Sequence, residues 1–194
     1  MRFSSKVRKT LETEVKVEIN LDGTGNKQIN TGIKFFDHML EQFAMHGGYD
    51  LKIDVTSLDK DNHHVVEDVA LTLGSAFLEA LGNKKGINRY GERFIPMDEA
   101  LALCVVDLSG RVFSKINADI KDEKTSDFET VLLSHFFSSF AQASLSTIHI
   151  KLVYGTDTHH IIEAIFKSFA RAVSMATSFN EANINVIPST KGLL

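Results

Sequence analysis

The chain has 194 residues, of which 43% are hydrophobic and 24% charged, enough apolar content for a real core and too much for general disorder. A net charge of −4 and the lack of any Lys/Arg-rich run speak against nucleic acid as a partner. No uninterrupted apolar stretch approaches membrane-spanning length and "MRFSSKVRKT" lacks a secretory h-region, so a cytoplasmic protein that does not engage a membrane is expected.

The elements follow in chain order. "LETEVKVEINL" (11–21) alternates strictly, with Val15, Val17, Ile19 and Leu21 on one face, which predicts a half-buried strand. "DGTG" turns the chain into a second strand near 27–34. Phe35, Phe36, Met39, Leu40 and Phe43 fall at helical spacing, and Gly47-Gly48 ends that helix. A strand near 49–57 comes next, then a helix through Val65, Val66, Val69, Leu73 and Phe77 that stops at Gly82. Residues 83–98, holding Gly86, Gly91 and Pro96, read as a break between halves. "ALALCVVDL" and "RVFSKINA" flank a Ser109-Gly110 turn, and Cys104, the single cysteine, reads as a small core residue. A helix near 128–143, a strand near 146–154 and a long helix near 159–179 complete the pattern.

These elements repeat. "FFDHMLEQFA" (35–44) aligns with "LLSHFFSSFA" (132–141), and "DNHHVVEDVA" (61–70) with "DTHHIIEAIF" (157–166), at an offset of 96 to 97 residues. The expected fold is therefore α+β: an internally duplicated ββαβα unit, with helices packed on one face of each sheet. A single domain of two repeats, approximately 1–90 and 91–194, is expected.

Six of the eight histidines sit at repeat-equivalent positions: His38 with His135, His63 with His159, and His64 with His160. Helical spacing projects His63 and His64 toward Glu67, and His159 and His160 toward Glu163. Imidazoles with carboxylates and no thiolate suit Mn²⁺, Fe²⁺ or Zn²⁺, and eight ligands would serve two sites. Neighbouring helical residues point about 100° apart, so the members of each His-His pair should serve different ions. Arg89, Arg111, Lys167, Ser189 and Lys191 form a looser set of the kind a phosphate selects. Glu12 lies on the polar side of the first strand, where a solvated face is the default. Asp37, Asp98 and Glu99 could each cap an element or orient an imidazole.

Over nearly the whole chain, "LETEVKVEINLDGTG", "FFDHMLEQFAMHG", "DNHHVVEDVALTLGSAF", "INRYGERFIPMDEAL", "VDLSGR", "THHIIEAIFKSFARA" and "PSTKG" resemble the imidazoleglycerol-phosphate dehydratase family of histidine biosynthesis. The resemblance implies a hydro-lyase that converts imidazole glycerol phosphate to imidazole acetol phosphate. It also implies a fold like the second domain of ribosomal protein S5 and two Mn²⁺ ions per active site. The assembly implied is a homo-oligomer of about 24 subunits with sites at subunit interfaces. Carried over residue by residue, the metal ligands are His38, His63, His64, Glu67, His135, His159, His160 and Glu163. His38, His63, Glu67 and His160 are expected around one ion, with His64, His135, His159 and Glu163 around the other. Gln42, His46, Arg89, Arg111, Lys167, Ser189 and Lys191 would face the phosphorylated substrate, and Glu12 would be the acid–base residue. "GTDTHH" and "STKG" depart from the usual family pattern without touching these residues. A metal-storage assembly and a binuclear metallohydrolase are the competing readings of the same ligands.

Overall fold

The computed structural model describes residues 1–194. The first half runs β1 (Phe3–Lys9), β2 (Thr13–Asn20), β3 (Lys27–Asn30), α1 (Lys34–Gly47), β4 (Asp50–Ser57) and α2 (Asn62–Leu81). The second runs β5 (Tyr90–Met97), β6 (Ala100–Asp107) and β7 (Phe113–Asn117), then a short β8–β9 hairpin (Lys124–Thr125, Phe128–Glu129). It ends with α3 (Leu132–Ser144), β10 (Thr147–Tyr154) and α4 (Thr158–Thr177). None of the helices is long and apolar enough to cross a membrane.

The two sheets have the same topology, β1-β2-β4-β3 and β5-β6-β10-β7, antiparallel except for the parallel pairs β3 with β4 and β7 with β10. The fold is α+β, as expected, but each half opens with a strand that hydrophobic patterning did not reveal. β1 and β5 are edge strands. In "FSSKVRK" only Ser4 is buried, so there is no apolar alternation to read. "YGERFIPM" carries Pro96, tolerated because an edge strand need not donate every N–H to a ladder. The stretch expected as a break therefore contains β5. The helix expected from 128 starts at Leu132, after the β8–β9 hairpin.

Each sheet turns one face inward. Val15, Val17, Ile19, Leu51 and Ile53 from the first sheet, and Ala102, Cys104, Val106, Ile148 and Ile150 from the second, join one contiguous core. The halves are packed through their helices in a crossed manner: α1 lies against α4, and α2 against α3. Rings from all four helices meet at that seam. Phe43 stacks on Phe169 at 5.2 Å, Phe77 reaches Phe140 at 5.7 Å, and Phe137 meets Phe169 edge-on at 5.1 Å. Such pairs add directional preference to a large burial of apolar area. Close approach is also written into the chain. A Cβ on Gly74 of α2 would lie 2.8 Å from both the Ala143 Cβ and the Phe140 carbonyl oxygen of α3.

The caps matter for the site. Asp61 and Asp157 are the N-caps of α2 and α4, accepting from the backbone N–H groups of His63 and His160 respectively. They fix both His-His pairs in the first helical turn, where imidazoles can project past the core. α1 lacks a cap of its own. The Asp127 carboxylate, from the other half, accepts from the backbone N–H of Lys34 at 2.8 Å and of Phe35 at 3.0 Å. Asp37 neither caps the helix nor touches an imidazole. It accepts from the Thr31 N–H at 2.8 Å, and its partly buried position pushes its pKa up against that bond.

Candidate active site

The crossed packing gathers the histidines into two repeat-related clusters. In the first, His38 from α1 meets His159 and Glu163 from α4: Glu163 Oε2 lies 3.4 Å from His38 Nε2 and 3.1 Å from His159 Nε2. One donor atom from each of these residues lies within 4.8 Å of the others, a convergence compatible with one divalent ion. In the second, His135 from α3 stacks edge-on against His63 from α2 with ring centroids 4.5 Å apart, and His63 Nε2 is 3.5 Å from Glu67. Each cluster takes residues from both halves.

That grouping differs from the expected division of ligands. Within one chain His38 keeps company with His159 and Glu163 rather than with His63 and Glu67, and His135 sits with His63 and Glu67. The cause is the pairing of α1 with α4 and α2 with α3, which no local sequence pattern encodes. The second histidine of each pair points away from these clusters. His64 Nδ1 bonds Asp59 at 2.6 Å while its Nε2 faces Glu12 at 3.6 Å. His160 Nδ1 bonds Glu99 at 2.7 Å while its Nε2 faces Asp98 at 3.7 Å.

The first cluster is the more elaborate. Glu163 is buried, and Lys167 one turn along α4 pairs with it at 2.6 Å. Burial works to raise the Glu163 pKa, but the Lys167 ammonium and then His38 outweigh it and hold the carboxyl below its usual range. A relay continues along α1: Gln42 Nε2 to His38 Nδ1 at 3.4 Å, and His46 Nε2 to Gln42 Oε1 at 3.2 Å. Partial burial, then the charges of Lys167 and Arg171, lower the His46 pKa and favour a neutral ring. Hydrogen bonding to Asp59 and to Glu99 raises the His64 and His160 pKa values. Glu99 is held down to about 2, chiefly by the Asp157 backbone N–H and then by His160.

The anion-type residues lie apart from the histidines. Arg89, Arg111, Ser189 and Lys191 line one open depression of about 1100 Å³ between the end of α2, the Ser109-Gly110 turn and the C-terminal tail. Arg89 is fixed there by Asp107, 2.7 Å from its Nε, and by donating to the Pro188 carbonyl at 2.9 Å. The Arg111 guanidinium is largely exposed, 4.0 Å from Asp107. Lys167, Gln42 and His46, expected to face the same substrate, belong to the histidine side within one chain. Glu12 precedes β2 with an exposed side chain, and its backbone N–H donates to Thr10 Oγ1 at 3.1 Å.

Two functional neighbours escaped the sequence reading. Asp59 lies in the loop before α2 and had no helical spacing to flag it. Asp68, beside Glu67, is a buried carboxylate on an otherwise apolar face, which is itself a signal. It accepts from Arg8 Nε at 2.6 Å and Thr13 Oγ1 at 2.5 Å, tying β1 and β2 to α2 around Glu12.

Comparison with known proteins bears on the chain as a whole. The profile described as imidazoleglycerol-phosphate dehydratase matches residues 31–173, a span that includes every histidine of both clusters. A protein of that name from Acetivibrio thermocellus is 50% identical over 188 residues, 96% of each chain. One from Clostridium kluyveri is 48% identical over the full length of both. Among solved structures, imidazoleglycerol-phosphate dehydratase from Staphylococcus aureus superposes with a TM-score of 0.83 at 40% identity, over 92% of this chain and 99% of that one. The Pyrococcus furiosus counterpart gives 0.85 at 37% identity, over 97% and 100%. The chain belongs to the imidazoleglycerol-phosphate dehydratase family.

Proposed function

We propose that this protein is a hydro-lyase of histidine biosynthesis that converts imidazole glycerol phosphate to imidazole acetol phosphate with the help of two Mn²⁺ ions. Family membership carries the reaction. The observation that supports metal dependence is the convergence of the His38, His159 and Glu163 donor atoms within 4.8 Å of one another, with His63, Glu67 and His135 gathered at the repeat-related place. The donor chemistry fits: imidazole nitrogens and carboxylate oxygens, with the one thiol buried far from use. His38, His159 and Glu163 would hold one ion and His63, Glu67 and His135 the other, with His64 and His160 completing sites through their Nε2 atoms. Bound metal would supply Lewis-acid stabilisation of the substrate imidazole as charge develops.

The rest is work for the chain itself. The reaction removes hydroxide from the carbon attached to the ring and a proton from its neighbour, and the resulting enol tautomerises to the ketone. Glu12 is the proton carrier in this reading: its carboxylate is solvent-reachable, close to His64, and held only through its backbone. Arg89, Arg111, Ser189 and Lys191 would take the phosphate, Arg89 being pre-set by Asp107. Lys167, Gln42 and His46 would contact the substrate beside the first cluster.

Within one chain the anion depression and the clusters share no lining residues. That supports active sites shared between subunits of a homo-oligomer, for which we propose the cubic symmetry and about 24 subunits that the family resemblance implies. The outer face of the second sheet suits such contacts: Phe94, Val105 and Phe113 are exposed there, where the first sheet shows Lys16, Glu18 and Lys52. The proposed location is the cytoplasm.

The test begins with metal analysis, where two ions per chain are expected. Chelator-treated protein should fail to form ketone from imidazole glycerol phosphate, and added Mn²⁺ should restore it. Release of inorganic phosphate would favour a hydrolase, and metal binding with no turnover a storage role. Full activity at monomer mass would contradict shared sites.

A further inference from the structure

The second histidine of each pair is held by a carboxylate clamp, and the two clamps are built alike from unlike positions. In the first half Asp59 does it: Oδ2 accepts from His64 Nδ1 at 2.6 Å, and Oδ1 accepts from the backbone N–H of Asp61 at 3.0 Å. In the second half Glu99 does it: Oε2 accepts from His160 Nδ1 at 2.7 Å, and Oε1 accepts from the backbone N–H of Asp157 at 2.7 Å and of Thr156 at 3.0 Å. Asp61 and Asp157 are the N-caps of α2 and α4. Each clamp thus grips the cap residue's backbone with one oxygen and the imidazole three residues later with the other.

The repeat does not dictate this. The counterpart of Asp59, 96 residues on, is Gly155. A Cβ there would lie 2.8 Å from Ile161 Cγ1 and 2.9 Å from the Ala100 Cβ, so no side chain fits. The clamp is supplied instead by Glu99, the residue just before β6, as Glu12 is the residue just before β2. In the second half, the position matching the candidate acid–base residue is therefore occupied by a glutamate fully engaged in hydrogen bonds.

We propose that Asp59 and Glu99 are paired positioning residues that set the tautomers of His64 and His160, keeping the proton on Nδ1 and the Nε2 lone pair free for a ligand role. A carboxylate can only accept, so an imidazole nitrogen 2.6 to 2.7 Å from it carries the proton. With Nδ1 protonated, Nε2 is the sole donor atom left for an ion. It follows that only one half retains a glutamate before its second strand that is available for proton transfer, and that residue is Glu12. The proposal rests on the reading of His64 and His160 as metal ligands.

The geometry gives a test that separates tautomer control from simple loop bracing. In Glu99→Gln the amide oxygen stays with the Asp157 and Thr156 N–H groups, because the amide nitrogen cannot accept from them. The NH₂ group then faces His160 Nδ1 and drives the proton to Nε2. Glu99→Ala removes the brace but leaves the ring free to choose its tautomer. Affinity for Mn²⁺, read from the EPR signal of free ion, should fall about 10–100-fold in Glu99→Gln, at least as far as in Glu99→Ala. Bracing alone predicts the opposite order, since glutamine keeps the backbone bonds. In metal-free protein, at a pH where the ring is neutral, ¹⁵N imidazole shifts should show His160 protonated on Nδ1 in wild type and on Nε2 in Glu99→Gln. The resonance is assigned by its loss in His160→Asn. Asp59→Asn should act on His64 in the same way. Wild-type His160 protonated on Nε2, a Glu99→Gln affinity within about two-fold of wild type, or Glu99→Ala as the weaker binder would each overturn the proposal. If wild type itself takes up no Mn²⁺, the metal reading of the site falls first. If wild type binds and the variants bind equally, only the clamp is wrong.

Discussion

Gly74→Ala sets two known magnitudes against each other at the seam between α2 and α3. Alanine in place of glycine inside a helix is worth about 1 kcal/mol of propensity. Against that, the new methyl would sit 2.8 Å from the Ala143 Cβ and the Phe140 carbonyl oxygen, where ordinary contact begins near 3.4 Å. The neighbours include backbone, so relief cannot come from one side chain turning away; α2 and α3 must part by about 0.6 Å. Overpacking of this kind costs about 1–3 kcal/mol. The net expectation is a loss of roughly 1 kcal/mol, or about 2–4 °C in Tm for a chain of this size. Because His63 and Glu67 ride on α2 and His135 on α3, the same movement spreads the second cluster and leaves the first, on α1 and α4, in place. Thermal unfolding of metal-free protein and Mn²⁺ titration by EPR measure the two effects. A Tm that rises, with both metal sites undisturbed, would show that the helices yield freely and that propensity wins.

Three further expectations address other parts of the molecule. Glu12→Gln should bind metal and substrate as wild type does while kcat falls by about 10²–10⁴-fold; near-normal turnover would remove Glu12 from proton transfer. Asp68→Ala strips the acceptor from Arg8 and from the buried Thr13 hydroxyl, and should cost about 2–3 kcal/mol in denaturant unfolding. It should also lower kcat, because the turn carrying Glu12 is anchored there. Asp22→Asn probes the N-terminal tie, where Arg2 bonds Asp22 and reaches the Thr177 carbonyl at 2.6 Å. The Arg2 guanidinium holds the Asp22 pKa below its unfolded value, against a smaller opposing effect of burial. Its stabilisation is therefore present above the unfolded carboxylate pKa and lost as pH falls through the folded one. The variant should be weaker by about 0.5–1 kcal/mol near neutrality and should match wild type in acid. A difference that persists in acid would assign the effect to packing.

What the sequence disclosed depended on how local the cause was. The HHxxE helices were legible because their apolar spacing and their ligand residues are local in the chain and the whole pattern recurs 96 residues on. The inner strands showed the alternation of a sheet with one dry face. β1 and β5 did not, since an edge strand with a single buried residue leaves no such trace. The ligand list could be compiled from the repeat, but the partnership of His38 with Glu163 could not. It arises from α1 crossing to α4, over more than a hundred residues of chain, and is decided by the ring seam in the core. Of the clamps, Glu99 was among the residues that could orient an imidazole, but its match with Asp59 was hidden, because chemically equal parts come from a loop in one half and a strand start in the other.

The crossed helices also constrain how such a chain could have arisen. A lone ββ-start unit with its two helices holds a first-helix histidine on one element and an HHxxE segment on another that it does not itself bring together. Two identical copies, packed as a symmetric pair, would form both clusters at once and make them the same. Fusing the copies keeps the pairing but releases them from sameness. The present chain uses that freedom: Lys167 accompanies Glu163 where Leu71 follows Glu67, and Gln42 backs His38 where Ser139 follows His135. Two repeat-related pockets can thus be tuned separately within one chain.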